Sequence, residues 1–313
     1  MNKKLLITLL PILAITACNK SAYTLEFKVA TPSGSPATAF YKYLTDTQHL
    51  EVNTANNVLA YLSSKNPNTE KDIVITPTNY GIAQINAGAD FKIAATLTFG
   101  NFYLLSTGVD TDSTLNEGDS VLAFQQNGVA GKLFNYVYGD KNLEVTYVED
   151  GTAVITEITQ KSGLEKYGYI LLAQPAVNNM LKKYSQLKVA HNLQDDFKTK
   201  SGGKEITQAS IFVRNGLDEK AVKKFLSAIE SDVKELLNDP EKTINKYDKN
   251  VEDEIFTGKI QTSKEATINL LKNNNQIGLG FKYAYENKAS IDTFVGCFGM
   301  PTTNEEIYFR VDK

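Results

Sequence analysis

Tryptophan is absent from the 313 residues, and histidine, cysteine and arginine occur only twice each. Each scarcity excludes something. His49 and His191 are not read as parts of a ligand cluster, so a dedicated zinc or manganese carrier is not expected. Bidentate clamping of a carboxylate or phosphate is an arginine task, and Arg214 and Arg310 lie in none of the loops nominated below. No Gly-x-Ser-x-Gly elbow is present, and Ser33 has no sequence-visible histidine partner, which disfavours a serine hydrolase. Cys297 lies in an apolar helical stretch and is expected to act as a small buried hydrophobe. Beyond the N-terminal region, no segment approaches the run of apolar residues that a spanning helix needs. With 33 basic against 36 acidic residues the chain lacks the positive excess that would draw nucleic acid or anionic lipid.

The N-terminus carries the strongest local signal. Asn2-Lys3-Lys4 gives a short basic start, and Leu5 to Ile15 is mostly apolar. A core of about 11 apolar residues is too short to span a bilayer and reads as an export signal. Its ending, Ile15-Thr16-Ala17-Cys18, resembles a lipobox. That resemblance implies cleavage before Cys18, a diacylglyceryl thioether on Cys18, and a protein lipid-anchored on the extracytoplasmic face of the cell membrane. Residues 1–17 are then the signal peptide and 18–24 a polar tether. Removing Lys3 and Lys4 shifts the formal net charge from −3 to about −5, still without attraction for nucleic acid. The remaining length suits one large or two medium domains.

The body alternates strand and helix patterns. Leu25 to Ala30 predicts a strand, after which Ser35 reads as an N-cap and Pro36 as first-turn residue of a helix with Ala37, Phe40, Tyr41 and Leu44 inward. Strands are predicted at Asp72 to Thr76, across the run 92–106 broken at Gly100-Asn101, and at 121–124, 143–148, 169–173 and 209–213. Helices are predicted at 80–87, 129–138, 151–161, from 176, at 218–237, at about 262–274 and at 281–297; residues 241–260 are ambiguous. Strands alternating with helices predict an α/β fold with mostly parallel sheets. In such sheets ligands gather at the carboxyl ends of strands, beside helix N-termini. Four turns there hold small or amide residues: 33–35, 76–79, 125–128 and 173–175.

Several segments together resemble the substrate-binding lipoproteins of ABC importers with the two-lobed type II periplasmic-binding-protein fold, in the branch of nitrate, sulfonate and thiamine-pyrimidine-precursor binders. They are Ala30-Thr-Pro-Ser-Gly-Ser-Pro-Ala37, Ile73-Val-Ile-Thr-Pro-Thr-Asn79, Thr98-Phe-Gly-Asn-Phe-Tyr-Leu-Leu-Ser106, Gln126-Asn-Gly-Val-Ala-Gly131, Leu172-Ala-Gln-Pro-Ala176, Asn192-Leu-Gln-Asp-Asp-Phe197 and Gln208-Ala-Ser-Ile211. The resemblance implies mixed, mostly parallel sheets flanked by helices and a two-strand hinge, with crossings near 103–112 and 206–214. Lobe 1 is then 25–112 plus 208–313, and lobe 2 is 113–207. The branch commonly has Glu-Pro where this chain has Gln174-Pro175, a departure that favours a neutral or less cationic solute.

The resemblance implies a binding protein, not an enzyme, without cofactor or metal. It would act as a monomer that captures a small-molecule solute for an ABC permease and ATPase complex. Candidate ligand-binding residues are Ser33, Gly34, Ser35, Thr76, Thr78, Asn79, Phe99, Asn101, Asn127, Gly128 and Gln174. Serine hydroxyls and amides offer neutral hydrogen bonds, and Gly34 permits close backbone approach. Phe99, Tyr103 and Phe124 are of the type that stacks on a planar heterocycle, though aromatics in apolar strands commonly serve the core. Glu149 and Asp150 open a helix, where acids are favourable without any ligand. The alternatives are an enzyme on the same fold, similar to thiamine-pyrimidine synthases or menaquinone-pathway enzymes, and a sensing or surface lipoprotein.

Overall fold

The computed structural model describes residues 23–64, 70–108, 114–160, 163–248 and 251–311. The export signal and Cys18 lie outside them. The chain opens with β1 (Val29–Pro32), the one-turn helix α1 (Ser35–Thr38) and a 3-10 turn at Tyr41–Tyr43. Then come β2 (Leu50–Asn53), α2 (Ala55–Ser63), β3 (Ile73–Pro77), α3 (Thr78–Asn86), β4 (Phe91–Thr98) and β5 (Phe102–Ser106). The middle contributes β6 (Ser120–Phe124), α4 (Val129–Tyr138), β7 (Glu144–Val148), α5 (Gly151–Thr159) and α6 (Gly163–Lys166). It continues with β8 (Tyr169–Ala173), α7 (Ala176–Lys183), β9 (Lys188–Asn192) and α8 (Leu193–Lys200). The last third holds β10 (Ala209–Arg214), α9 (Glu219–Asn238), α10 (Pro240–Asp248) and α11 (Asp253–Ile260). It ends with α12 (Lys264–Lys272), β11 (Leu279–Tyr283) and α13 (Lys288–Gly296).

Two sheets result, a six-stranded one ordered β11-β4-β10-β3-β1-β2 and a five-stranded one ordered β7-β6-β8-β5-β9. β1 runs parallel to β2 and β3, while β10 is antiparallel to both β3 and β4. In the second sheet β6 runs parallel to β7 and β8, and β5 is antiparallel to β8 and β9. Both faces of the first sheet are covered, which explains the unbroken apolar run Ile73-Val74-Ile75 in β3. Successive strand side chains point to opposite faces. Ile73 and Ile75 accordingly join one core, with α9 residues Leu226, Ile229 and Val233. Val74 joins the other, with Ile82 of α3 and Phe294 of α13, and that core continues through Leu122 and Leu171 of the second sheet. The helix α9 is fixed to the 3-10 turn by Lys42, whose Nζ meets Asp232 at 2.5 Å and Glu235 at 2.8 Å. Burial disfavours the Lys42 charge, but the two carboxylates outweigh it and hold its ammonium above the usual lysine range.

Five expectations are corrected. The sheets are mixed but not mostly parallel, because β10 and β11 in the first and β5 in the second pair antiparallel with their neighbours. The first strand spans 29–32, not 25–30, because pairing with β2 runs as far as Pro32 opposite Asn53; Leu25 instead donates its N–H to Asp46. The helix expected from Ser35 is a single turn whose N-cap is Gly34, at φ 88°. The stretch 281–297 begins in β11, antiparallel to β4, and becomes helical only at Lys288. The first crossing falls at residues 99–101, because Phe102–Ser106 pairs with β8 and β9 in the second sheet; residues 109–112 of the expected crossing lie outside the described residues. The return passes through residues 201–208, between α8 and β10. Among the described residues no helix is long and apolar enough to cross a membrane.

Candidate functional site

The carboxyl ends of β1, β3, β6 and β8 all feed directly into helices, and each junction is one of the four small-residue turns. At the β3 junction Thr78 donates its N–H to Gln208 O, and its hydroxyl meets Ser210 Oγ at 2.7 Å. Ser210 also approaches Thr96 Oγ1 at 3.3 Å, giving the sheet a short row of buried hydroxyls. Thr76 Oγ1 and Asn79 Oδ1 are buried without a hydrogen-bond partner among the described residues. At the β1 junction Ser33 and Gly34 donate their N–H groups to Asn53 O and Lys259 O. No side-chain cap closes the start of α1.

The crossing at 99–101 is tightly built. Phe99 donates its N–H to Gly278 O at 2.7 Å. Gly278 sits at φ 63°, and a Cβ there would lie 1.8 Å from Gly100 O, so only glycine fits. Gln194 of α8 pins the start of β5, accepting from Phe102 N at 2.9 Å and donating to Phe102 O at 3.0 Å. Asn101 exchanges two bonds with Gln174, donating from Nδ2 to its O and accepting at its own O from Gln174 N. Buried Asn101 Oδ1 is left without a partner among the described residues, as is Thr207 Oγ1 on the return crossing.

The lobes meet beside these crossings. Gln174 Nε2 donates to Gln276 Oε1 at 3.1 Å, and Tyr103 OH donates to Gln276 O at 3.2 Å. Burial, with Asp195 adding to it, pushes the Tyr103 phenol up to about 12, so it stays a neutral donor at physiological pH. Ser35 and Thr38 from one lobe and Pro175 from the other line a cavity of about 10 Å³. That is room for about one water molecule.

The nominated residues thus fall into groups. Asn101 and Gln174 are bonded to each other, Ser35 shares a cavity with Pro175, Thr78 is bonded to Ser210, and Thr76 lies opposite Ser210 across the sheet. Gln174 is fully engaged, because its Oε1 accepts from Asn178 N at the start of α7. The turn 125–127 is exposed, and Gly128 packs back against Gln125 rather than across the cleft. Phe99 lies against Gly280, with Lys282 Nζ 5.5 Å from its ring centre. Phe124 packs on Phe102 within the core. Asp150 caps α5 through Ala153 N.

Other groups were missed. Gln276 and Thr207 carry no periodic or motif signal, and only tertiary pairing brings them to the crossings. His191 sits 3.0 Å from Asp196, which also accepts from Tyr138 OH. That cluster holds α4, α8 and β9 together. Among the described residues no group of three potential metal ligands occurs.

No family model and no curated protein matches the chain. Solved structures do. An ABC transporter structure from Parabacteroides distasonis superposes with a TM-score of 0.65 at 16% identity, over 89% of this chain and 92% of that one. The chain has the two-lobed periplasmic-binding-protein fold. The periplasmic aliphatic sulphonate binding protein SsuA from Escherichia coli gives a TM-score of 0.60 at 11% identity, over 91% and 96% of the two chains. DszB, solved as a mutant in complex with biphenyl-2-sulfinic acid, gives 0.56 at 8%, over 90% and 96%. At these identities the likeness is one of fold. Several of the matching structures are ABC transport components, the group that the sequence motifs resemble.

Proposed function

We propose that this protein captures a small solute outside the cytoplasmic membrane, between its two lobes, and delivers it to an ABC permease and its ATPase. The observation that carries this reading is the contact from Gln174 to Gln276, which joins the lobes directly beside the two crossings. Two crossings and one interlobe seam form a hinge, and hinge closure around a solute is an established way to trap one. In this reading a diacylglyceryl group on Cys18 tethers a monomer to the membrane, and no cofactor takes part.

An enzymatic role is the second reading, because DszB, solved in complex with biphenyl-2-sulfinic acid, shares the fold. The residues brought together at the seam are amides and hydroxyls, which hold a solute without a nucleophile-and-base pair. Capture is tested by heating protein that starts after Cys18 against vitamin precursors, sulfonates, inorganic anions and amino acids. One of them is expected to raise its stability by about 3 kcal/mol at a hundredfold excess over its dissociation constant. Recovery of a chemically altered compound would favour the enzyme instead. The tether is tested by radiolabelled fatty acid, which should label the full chain and not its Cys18→Ala variant.

A further inference from the structure

The segments at the lobe junctions share a property that no single turn reveals. Residues 33–35, 76–79, 99–101, 125–128, 173–175, 206–208 and 276–278 contain no Asp, Glu, Lys, Arg or His, in a chain that is 22% charged. Lys204 and Glu205 of the return crossing, with Lys259 and Lys282, border them. Lys282, over the Phe99 ring, is paired with Glu205 at 2.5 Å, and Lys259 Nζ donates to Leu44 O. Within these segments a solute with net charge would meet no side-chain counter-charge, and burying an unpaired charge is costly.

Among the described residues the site leaves four buried side-chain oxygens unpaired. Asn79 and Asn101 are 5% and 9% exposed, and each has a carboxamide oxygen without a donor. The Asn101 assignment is secure, since turning the amide over would set its oxygen against Gln174 O. Thr76 Oγ1 and Thr207 Oγ1, fully buried, are unpartnered on the neighbouring strand ends. Native interiors leave few such atoms unsatisfied, and each calls for a partner. Helices α3 and α4, like α1, α7, α11 and α13, have no side-chain cap at their N-termini. An anion alone would use those helix ends and leave the two amide oxygens facing negative charge.

We infer, on the reading that this protein captures a solute, that the solute has no net charge and presents N–H or O–H donors to Asn79 and Asn101. Its own acceptor atoms then face the start of α3. Sulfonates and nitrate do not meet this description.

The test uses small molecules from growth medium, separated on anion and cation exchangers at pH 7 into anionic, cationic and neutral pools. Each pool is added to the purified protein, and the melting temperature is followed. The neutral pool alone is expected to raise it. In the Asn79→Ala and Asn101→Ala variants, each first shown to melt cooperatively, half-maximal shift should need about tenfold more of that pool. The exposed control Asn238→Ala, at the far end of α9, should behave as the unchanged protein. A rise with either charged pool, or unchanged titrations in both asparagine variants, overturns the inference while leaving solute capture intact. No rise with any pool overturns solute capture itself.

Discussion

Gln276 is bonded to the second lobe twice, accepting from Gln174 Nε2 at its side chain and from Tyr103 OH at its backbone. Only the first of these bonds can be removed by substitution at Gln276. Gln276→Ala also spares the bond that Asn178 N donates to Gln174 Oε1 at the start of α7. A neutral hydrogen bond contributes about 1 kcal/mol, so the closed population of the variant should fall about fivefold relative to the open one. Small-angle X-ray scattering should show a larger radius of gyration, with an unchanged urea midpoint within each lobe.

Gly278 is where the crossing tolerates least. A Cβ placed there meets Gly100 O at 1.8 Å, and φ is 63°. Gly278→Ala should cost at least about 2 kcal/mol, from overpacking and left-handed backbone together. Gly34→Ala provides the contrast, since φ is 88° but the space around a Cβ is open. It should cost only about 1–2 kcal/mol in urea denaturation.

The acid limb of stability should depend on Asp196. His191 and then Tyr138 bond its carboxylate, and although burial opposes them, its pKa is held below the usual aspartate range. A depressed carboxylate pKa contributes stability above the unfolded value of about 3.9, lost as pH falls through that value towards the folded one. The stability gap between the protein and Asp196→Asn should therefore be constant near neutrality and shrink below about pH 4. Urea denaturation at a series of pH values measures it.

Cys297 should be inert in the folded protein. It is half-buried, its Sγ donates to Thr293 O, and burial pushes its thiol up to about 12. Thiolate is the reactive form, so a disulfide reagent should label Cys297 slowly at pH 8 and rapidly in urea. Equal rates would contradict this packing.

These contacts also mark what the residue order made legible. Strand and helix alternation, the turns at 33–35, 76–79, 125–128 and 173–175, and the break at Gly100-Asn101 were readable, because each depends on local backbone chemistry. The end of the first crossing was not: the run from Lys92 to Ser106 looks like one apolar stretch, and only pairing assigns Phe102–Ser106 to the other sheet. β11 escaped because Leu279–Tyr283 is a short edge strand whose partner, β4, lies far away in sequence. Gln276 escaped for the same reason, as an amide in a loop whose importance comes from what it meets. Phe124 and Tyr103 looked like stacking platforms, and packing gave one to the core and turned the other's hydroxyl towards Gln276.

The central claim is that the lobes close on a small solute. The most direct measurement starts from freshly purified protein, with small molecules released by heating and the protein refolded from urea without them. The account predicts that adding the released fraction back raises the melting temperature and lowers the radius of gyration, as the seam at Gln276 re-forms. A released fraction that changes neither quantity, added to protein shown to have refolded, would contradict it.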